Sequence, residues 1–141
     1  MPSPDAPLRG SCACGAVQFQ VTTAFVSAGY CHCTRCQRRA GTPWSFNGVL
    51  PDGHGLEILA GASDVTVWRP ENGLPKAFCS ICGGHVWAGE PGTDGGVGVR
   101  FGTLHDDPGI EPSWRQWISS AQPWFPIPQD GVPRYPETRP T

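Results

Sequence analysis

Lysine is nearly missing from this chain. Lys76 is the only one, and nine arginines carry the remaining positive charge. With a net charge of −2 and a pI near 6.0, there is no basic surface of the kind that holds nucleic acid, and no nucleic-acid partner is expected. Charged residues make up 16% and apolar residues 38%, both low for a soluble domain. No run is long and apolar enough to cross a membrane. The first seven residues, Met-Pro-Ser-Pro-Asp-Ala-Pro, have neither a charged nor an apolar signal region. The expected location is the reducing cytoplasm, where clustered cysteines bind metal more often than they pair as disulfides.

Glycine and proline are abundant instead, at 19 and 16 residues. Such content usually marks disorder, but six Trp, six Phe and seven Cys argue for a folded, turn-rich β domain. Its modest core would need crosslinks. A length of 141 residues fits one domain. The expected organisation is a flexible leader over 1–7, a zinc-binding domain over 8–135 and an extended tail over 136–141, with no internal repeat.

Alternation and turn signals predict strands over residues 16–22, 44–50, 56–59, 65–69, 76–79, 84–88 and 97–104. Asn72-Gly73 reads as a hairpin turn. One or two helical turns are expected over 34–40. Residues 113–119 fit a helical face or a bent strand equally. The fold class is therefore all-β, or β-rich, with little helix.

The cysteines form three groups: Cys12-Ala-Cys14, Cys31-His-Cys33-Thr-Arg-Cys36, and Cys79-Ser-Ile-Cys82. Cys79-x-x-Cys82-Gly83 has the spacing of a zinc knuckle, and Cys12-x-Cys14-Gly15 can complete it from more than sixty residues away. That leaves Cys31, Cys33 and Cys36, three sulfurs within six residues and no fourth cysteine. A closed four-thiolate site holds a fold together; a three-thiolate site leaves a position for water, histidine, carboxylate or substrate. Disulfides, iron centres, and a second site closed by His54, His85 or His105 stay open as alternatives.

Three thiolates put a formal −1 on a zinc unit, which blunts its power to acidify water compared with a site of neutral imidazoles. Such a centre suits the capture of a thiol and the presentation of its sulfur to an electrophilic carbon. The expected chemistry is carbon–sulfur bond making or breaking between a small thiol and an aldehyde.

On Gly10-Ser-Cys-Ala-Cys-Gly-Ala-Val, Cys31-His-Cys-Thr-Arg-Cys-Gln-Arg and Phe78-Cys-Ser-Ile-Cys-Gly, the chain resembles the glutathione-dependent formaldehyde-activating enzyme family, which shares a domain with the centromere protein V group. Phe101-Gly-Thr-Leu and Gln122-Pro-Trp-Phe look like the family's closing strands. The resemblance implies an Mss4-like β-tent with two zinc ions per chain. It implies that Cys12, Cys14, Cys79 and Cys82 hold a structural zinc, and that Cys31, Cys33 and Cys36 hold a catalytic one. It implies carbon–sulfur lyase or synthase activity on a glutathione-like thiol and formaldehyde, as S-hydroxymethyl adduct chemistry. A non-catalytic zinc-stabilised binding module is the alternative. Arg115 stands where family members often have histidine, which favours an acidic substrate held by arginine.

Arg35 and Arg38 are the expected substrate clamp, since guanidinium groups fork onto carboxylates; Arg39 reads as solvated. His32 should point away from a metal bound by its neighbours, as a proton relay or a hydrogen-bonded ring. Trp44 and Phe46 read as half-buried strand residues beside a pocket. Trp114, Trp117 and Trp124 are expected to pack on the sheet. His54, His85 and His105 read as structural or exposed. The sequence leaves the oligomeric state open.

Overall fold

The computed structural model describes residues 1–140. Its elements in chain order are β1 (Leu8–Ser11), β2 (Gln18–Val21), β3 (Ser27–Cys31), α1 (Thr34–Ala40), β4 (Ser45–Leu50), β5 (Leu56–Ala60), β6 (Val65–Trp68), β7 (Lys76–Cys79), β8 (His85–Ala88), β9 (Val97–Arg100) and β10 (Trp114–Gln116). Two sheets result. A small one has the order β1-β2-β5, and a large one the order β10-β3-β4-β9-β8-β7-β6. All named pairings are antiparallel except β10 with β3. The β-rich expectation with a single α-helix is met.

The core lies between the sheets. Phe19, Val21 and Leu56 come from the small sheet, and Leu50, Ala77, Val86, Trp87, Val97 and Val99 from the large one. Phe19 meets Trp87 edge to face, with ring centroids 5.5 Å apart and planes at 80°, the arrangement aromatic quadrupoles favour. Alternation along each strand then fixes the other face of the large sheet. With Leu50, Val97, Val99 and Ala77 in the core, Asn47, Val49, Gly98, Arg100 and Lys76 are directed to the opposite side, where they line a cavity.

Several expectations need correction. β1 and β3 lie in segments where no strand was expected. β3 reads Ser-Ala-Gly-Tyr-Cys, too small for a pattern signal, yet a Cβ on Gly29 would collide with the Trp114 ring, so the glycine lets β10 approach. The predicted strand over 97–104 stops at Arg100, and Phe101–Thr103 forms a short 3-10 turn. Neither this turn nor residues 122–125 adds a closing strand. The ambiguous stretch 113–119 resolves as β10 followed by a 3-10 turn over Ile118–Ser120. Trp124 is 65% exposed and does not pack on the sheet.

The leader turns back on itself through a Ser3–Ala6 bridge. Residues 135–139 are docked on β10 and the turn after it. Trp117 N donates to Glu137 O, Ile118 N to Tyr135 O and Tyr135 N to Arg115 O, while the Arg139 guanidinium sits 4.3 Å from the centroid of the Trp114 ring.

Candidate functional site

The four sulfurs of Cys12, Cys14, Cys79 and Cys82 lie within 4.8 Å of one another. A tetrahedral zinc–thiolate site with bonds of about 2.3 Å has sulfur–sulfur edges of about 3.8 Å. The measured Cys12–Cys14 and Cys14–Cys79 separations are 3.6 Å and 3.8 Å. These four residues therefore fit the ion by geometry and by donor softness. Backbone amides already face the sulfurs: Val17 N donates to Cys12 Sγ at 3.3 Å and Ile81 N to Cys79 Sγ at 3.4 Å. Gly83 has φ +74, the left-handed conformation that lets the knuckle turn. The Gly84 backbone bond, followed by that of Cys14, lowers the Cys82 thiol to about 6.

The sulfurs of Cys31, Cys33 and Cys36 also lie within 4.8 Å of one another. β3 delivers Cys31 at its end, and Cys33 is the N-cap of α1 with its sulfur accepting from Cys36 N at 3.3 Å. The helix closes at Gly41, whose N–H returns to Gln37 O. Hydrogen bonds from Cys31, then Cys33, and from Ser45, with the charge of Arg100, bring the Cys36 thiol down to about 2. Hydrogen bonding with Cys33, then Cys36, pushes the Cys31 thiol far up. Held this close, the three thiols oppose one another's full ionisation, which a bound cation would favour. No His, Asp or Glu of the described residues joins it in that cluster.

A cavity of about 270 Å³ opens beside the trio. Its charged lining comes from α1 (Arg35, Arg39), β7 (Lys76), β9 (Arg100) and the tail (Arg139), with Trp114, Gln116 and Trp117 forming another wall. Burial, and then Arg100, hold Arg39 below its usual range, and burial does the same to Lys76. Trp117 has φ 59, a left-handed backbone uncommon for a bulky residue.

Of the two arginines expected to clamp substrate, Arg35 lines this cavity and Arg38 does not; Arg38 is exposed. Arg39, read as solvated from sequence, takes its place. Arg115 is not available to a substrate. It is 2% exposed, stacks 3.9 Å from the centroid of the Tyr30 ring, and pairs with Asp130 at 2.8 Å. His32 is buried with Nε2 3.4 Å from Arg115 Nη1, directed away from the sulfurs as expected. Burial, then the charge of Arg115, lowers its pKa.

Trp44 and Phe46 are half-buried and line a neighbouring cavity with His85, Arg39 and Arg100. Burial, then Arg39 and Arg100, lower His85 to about 4. His54 pairs with Asp94 on the surface and His105 with Ser11. Lys76, Arg100 and Arg139 were missed in the sequence. Alternation could have found the first two, because their strand neighbours are core residues; nothing local marks Arg139.

Fold and thiol geometry together define a class: a two-sheet β protein with one closed four-cysteine group and one three-cysteine group facing a cavity, each of which could hold a metal ion. The profile of the glutathione-dependent formaldehyde-activating enzyme family matches residues 7–120, and the chain belongs to that family. A Halomonas elongata protein with the provisional name glutathione-dependent formaldehyde-activating enzyme is 31% identical over 90 residues, covering 60% of this chain. The chain spans 57% of that relative's length. The crystal structure of a Rhodobacter sphaeroides protein superposes with a TM-score of 0.56 at 26% identity, covering 74% of this chain and 91% of the other. No helix among the described residues is long and apolar enough to cross a membrane.

Proposed function

We propose that the protein is a zinc-dependent carbon–sulfur lyase or synthase that joins a small thiol to an aldehyde such as formaldehyde, or reverses that addition. In this reading Cys12, Cys14, Cys79 and Cys82 hold a structural zinc, and Cys31, Cys33 and Cys36 hold a second. One observation carries the reading: three sulfurs meet beside a cavity, one donor short of a tetrahedral shell. When bound there, zinc supplies a coordination position for the substrate sulfur and favours its thiolate form.

The chain's own groups account for the rest. In the addition direction the thiol S–H bond breaks, a C–S bond forms to the aldehyde carbon, and the carbonyl oxygen ends with a proton; nothing is oxidised or reduced. Lys76 and Arg100 present N–H donors to the cavity and can stabilise negative charge developing on that oxygen. Burial favours loss of a proton from Lys76, so its ammonium is suited to deliver one to the oxygen. Trp114 and Trp117 narrow the cavity on one side and limit water access. Arg35 and Arg39 orient the thiol through its acidic groups.

The test is turnover of a panel of thiol–aldehyde adducts by wild type and Cys33→Ser, each with its zinc content measured. The expected result is loss of turnover of about a hundredfold or more in Cys33→Ser, since disturbing a metal's ligation or its immediate support costs 10–100-fold or more. Equal turnover by the two proteins would remove the proposal.

A further inference from the structure

The charges around the three-cysteine cavity are one-sided. Arg35, Arg39, Lys76, Arg100 and Arg139 line it, and no Asp or Glu does. The ion pairs among the described residues are His54–Asp94, Arg69–Glu90 and Arg115–Asp130, so none of the five cavity cations has a carboxylate partner. Arg139 adds an independent sign. Among the described residues its Nε is buried without a hydrogen-bond partner, as is Arg115 Nε, but Arg139, unlike Arg115, lines the cavity while its guanidinium stacks on Trp114. An orphaned buried donor of this kind costs stability unless something arrives to accept from it.

The surplus exceeds what the sulfurs need. A divalent ion on three thiolates carries −1, and a fourth thiolate makes the unit −2. Two of the five cations offset that charge, and three remain to meet anionic groups on the substrate. A substrate ammonium would meet those cations and find no carboxylate in the lining. Glutathione brings two carboxylates and also an ammonium. The thiol best matched to this lining carries the acids without the amine.

We infer that the preferred thiol is a small one with at least two acidic groups and no ammonium, its acids held by Arg35, Arg39 and Arg139. This rests on the thiol-capture reading above and sharpens it, because it names which thiols the cavity selects.

The experiment is calorimetric titration of the zinc-loaded full chain with four probes. Mercaptosuccinate has two acids and no amine, glutathione has two acids and an amine, β-mercaptoethanol has neither, and succinate has the acids without the thiol. Mercaptosuccinate should bind about tenfold or more tighter than glutathione, the gain expected from about 1.4 kcal/mol of charge complementarity. Arg139→Gln should weaken mercaptosuccinate by about tenfold, in line with the loss of one charge-assisted contact, and leave β-mercaptoethanol unchanged. If Arg139→Gln does not fold, Arg35→Gln on the helix surface serves as the same test. Glutathione binding as tightly as mercaptosuccinate overturns the inference and leaves thiol capture standing. Succinate binding with no response to any thiol overturns thiol capture and, with it, the substrate named here.

Discussion

The two cysteine groups use the same atom type for opposite ends. In the four-cysteine group, Cys12 and Cys14 follow β1 of the small sheet, whereas Cys79 ends β7 of the large sheet and Cys82 follows it. A metal bound there would tie the two sheets together and join residues 65 apart in sequence. In the three-cysteine group every donor comes from one short segment, at the end of β3 and the start of α1. Closing a loop of 65 residues costs the unfolded chain about 2 kcal/mol more than closing one of five, by the logarithmic law of loop entropy. On the proposed reading, the first group therefore acts on the fold. The second adds little topological constraint and is free to serve a ligand.

The most damaging way to test that division is Cys82→Ser. It opens the site between the sheets, and the zinc binding proposed for that site would be worth up to about 10–16 kcal/mol by analogy with small zinc peptides, as much as a whole domain's stability. The expected outcome is loss of the cooperative thermal transition, read by circular dichroism. Cys36→Ser should keep that transition, within about 1–2 kcal/mol of wild type, while elemental analysis shows the metal content of the chain halved. Should the two variants unfold alike, the division between a fold-holding and a ligand-holding site is wrong.

A smaller effect should come from Arg115→Met, which acts on one site and spares the other. Arg115 links β10 to the tail through Asp130, stacks on Tyr30, and faces His32 between Cys31 and Cys33. Losing it should destabilise the fold by about 2 kcal/mol, since a buried paired cation is removed. Support behind metal ligands typically matters 10–100-fold for affinity, so competition with a chelator should show the three-cysteine site weakened by about tenfold. The four-cysteine site should hold its metal as before. Equal weakening of both would mean that Arg115 acts through global stability alone.

These contrasts also mark what the sequence could and could not convey. Cysteine spacing is a local signal of a rigid chemical requirement, so the grouping of all seven was readable before any fold was known. The helix over Thr34–Ala40 was expected as one or two turns after the middle cysteines, and in the structure the Cys33 cap and Gly41 stop bracket it. Segments 76–79 and 84–88 stand out because hairpin signals flank apolar alternation. β3 was not readable, because Gly29 is small so that Trp114 can cover it, and that reason lies 85 residues further along the chain. The cavity's charge was hidden for a related reason. Arg100, Lys76 and Arg139 converge only once β4, β9, β8 and β7 lie side by side and the tail folds over them. Arg115 misled because an arginine in place of an expected histidine suggests substrate binding, whereas Asp130 and Tyr30 occupy it.

The mildest expected effect concerns acid. Asp130 anchors the tail near the three-cysteine site, and the hydrogen bond from Arg115, aided by that from the Val132 N–H, holds its carboxyl below the usual carboxylate range. A group with a depressed folded pKa contributes stability above its unfolded value, about 3.9 for Asp, and loses that contribution as pH falls through the folded value. Asp130→Asn should therefore melt below wild type at neutral pH, with a gap smaller than that of Arg115→Met because the carboxylate is solvent-exposed and screened. The gap should shrink once the pH drops below about 4. At neutral pH the same variant should loosen metal at Cys31, Cys33 and Cys36 before it touches the four-cysteine group, because Asp130 reaches only the former through Arg115 and His32. A melting gap that stays constant down to pH 3 would show that the carboxylate charge plays no part, and the tail would then be held by its backbone bonds and the Arg139–Trp114 stack.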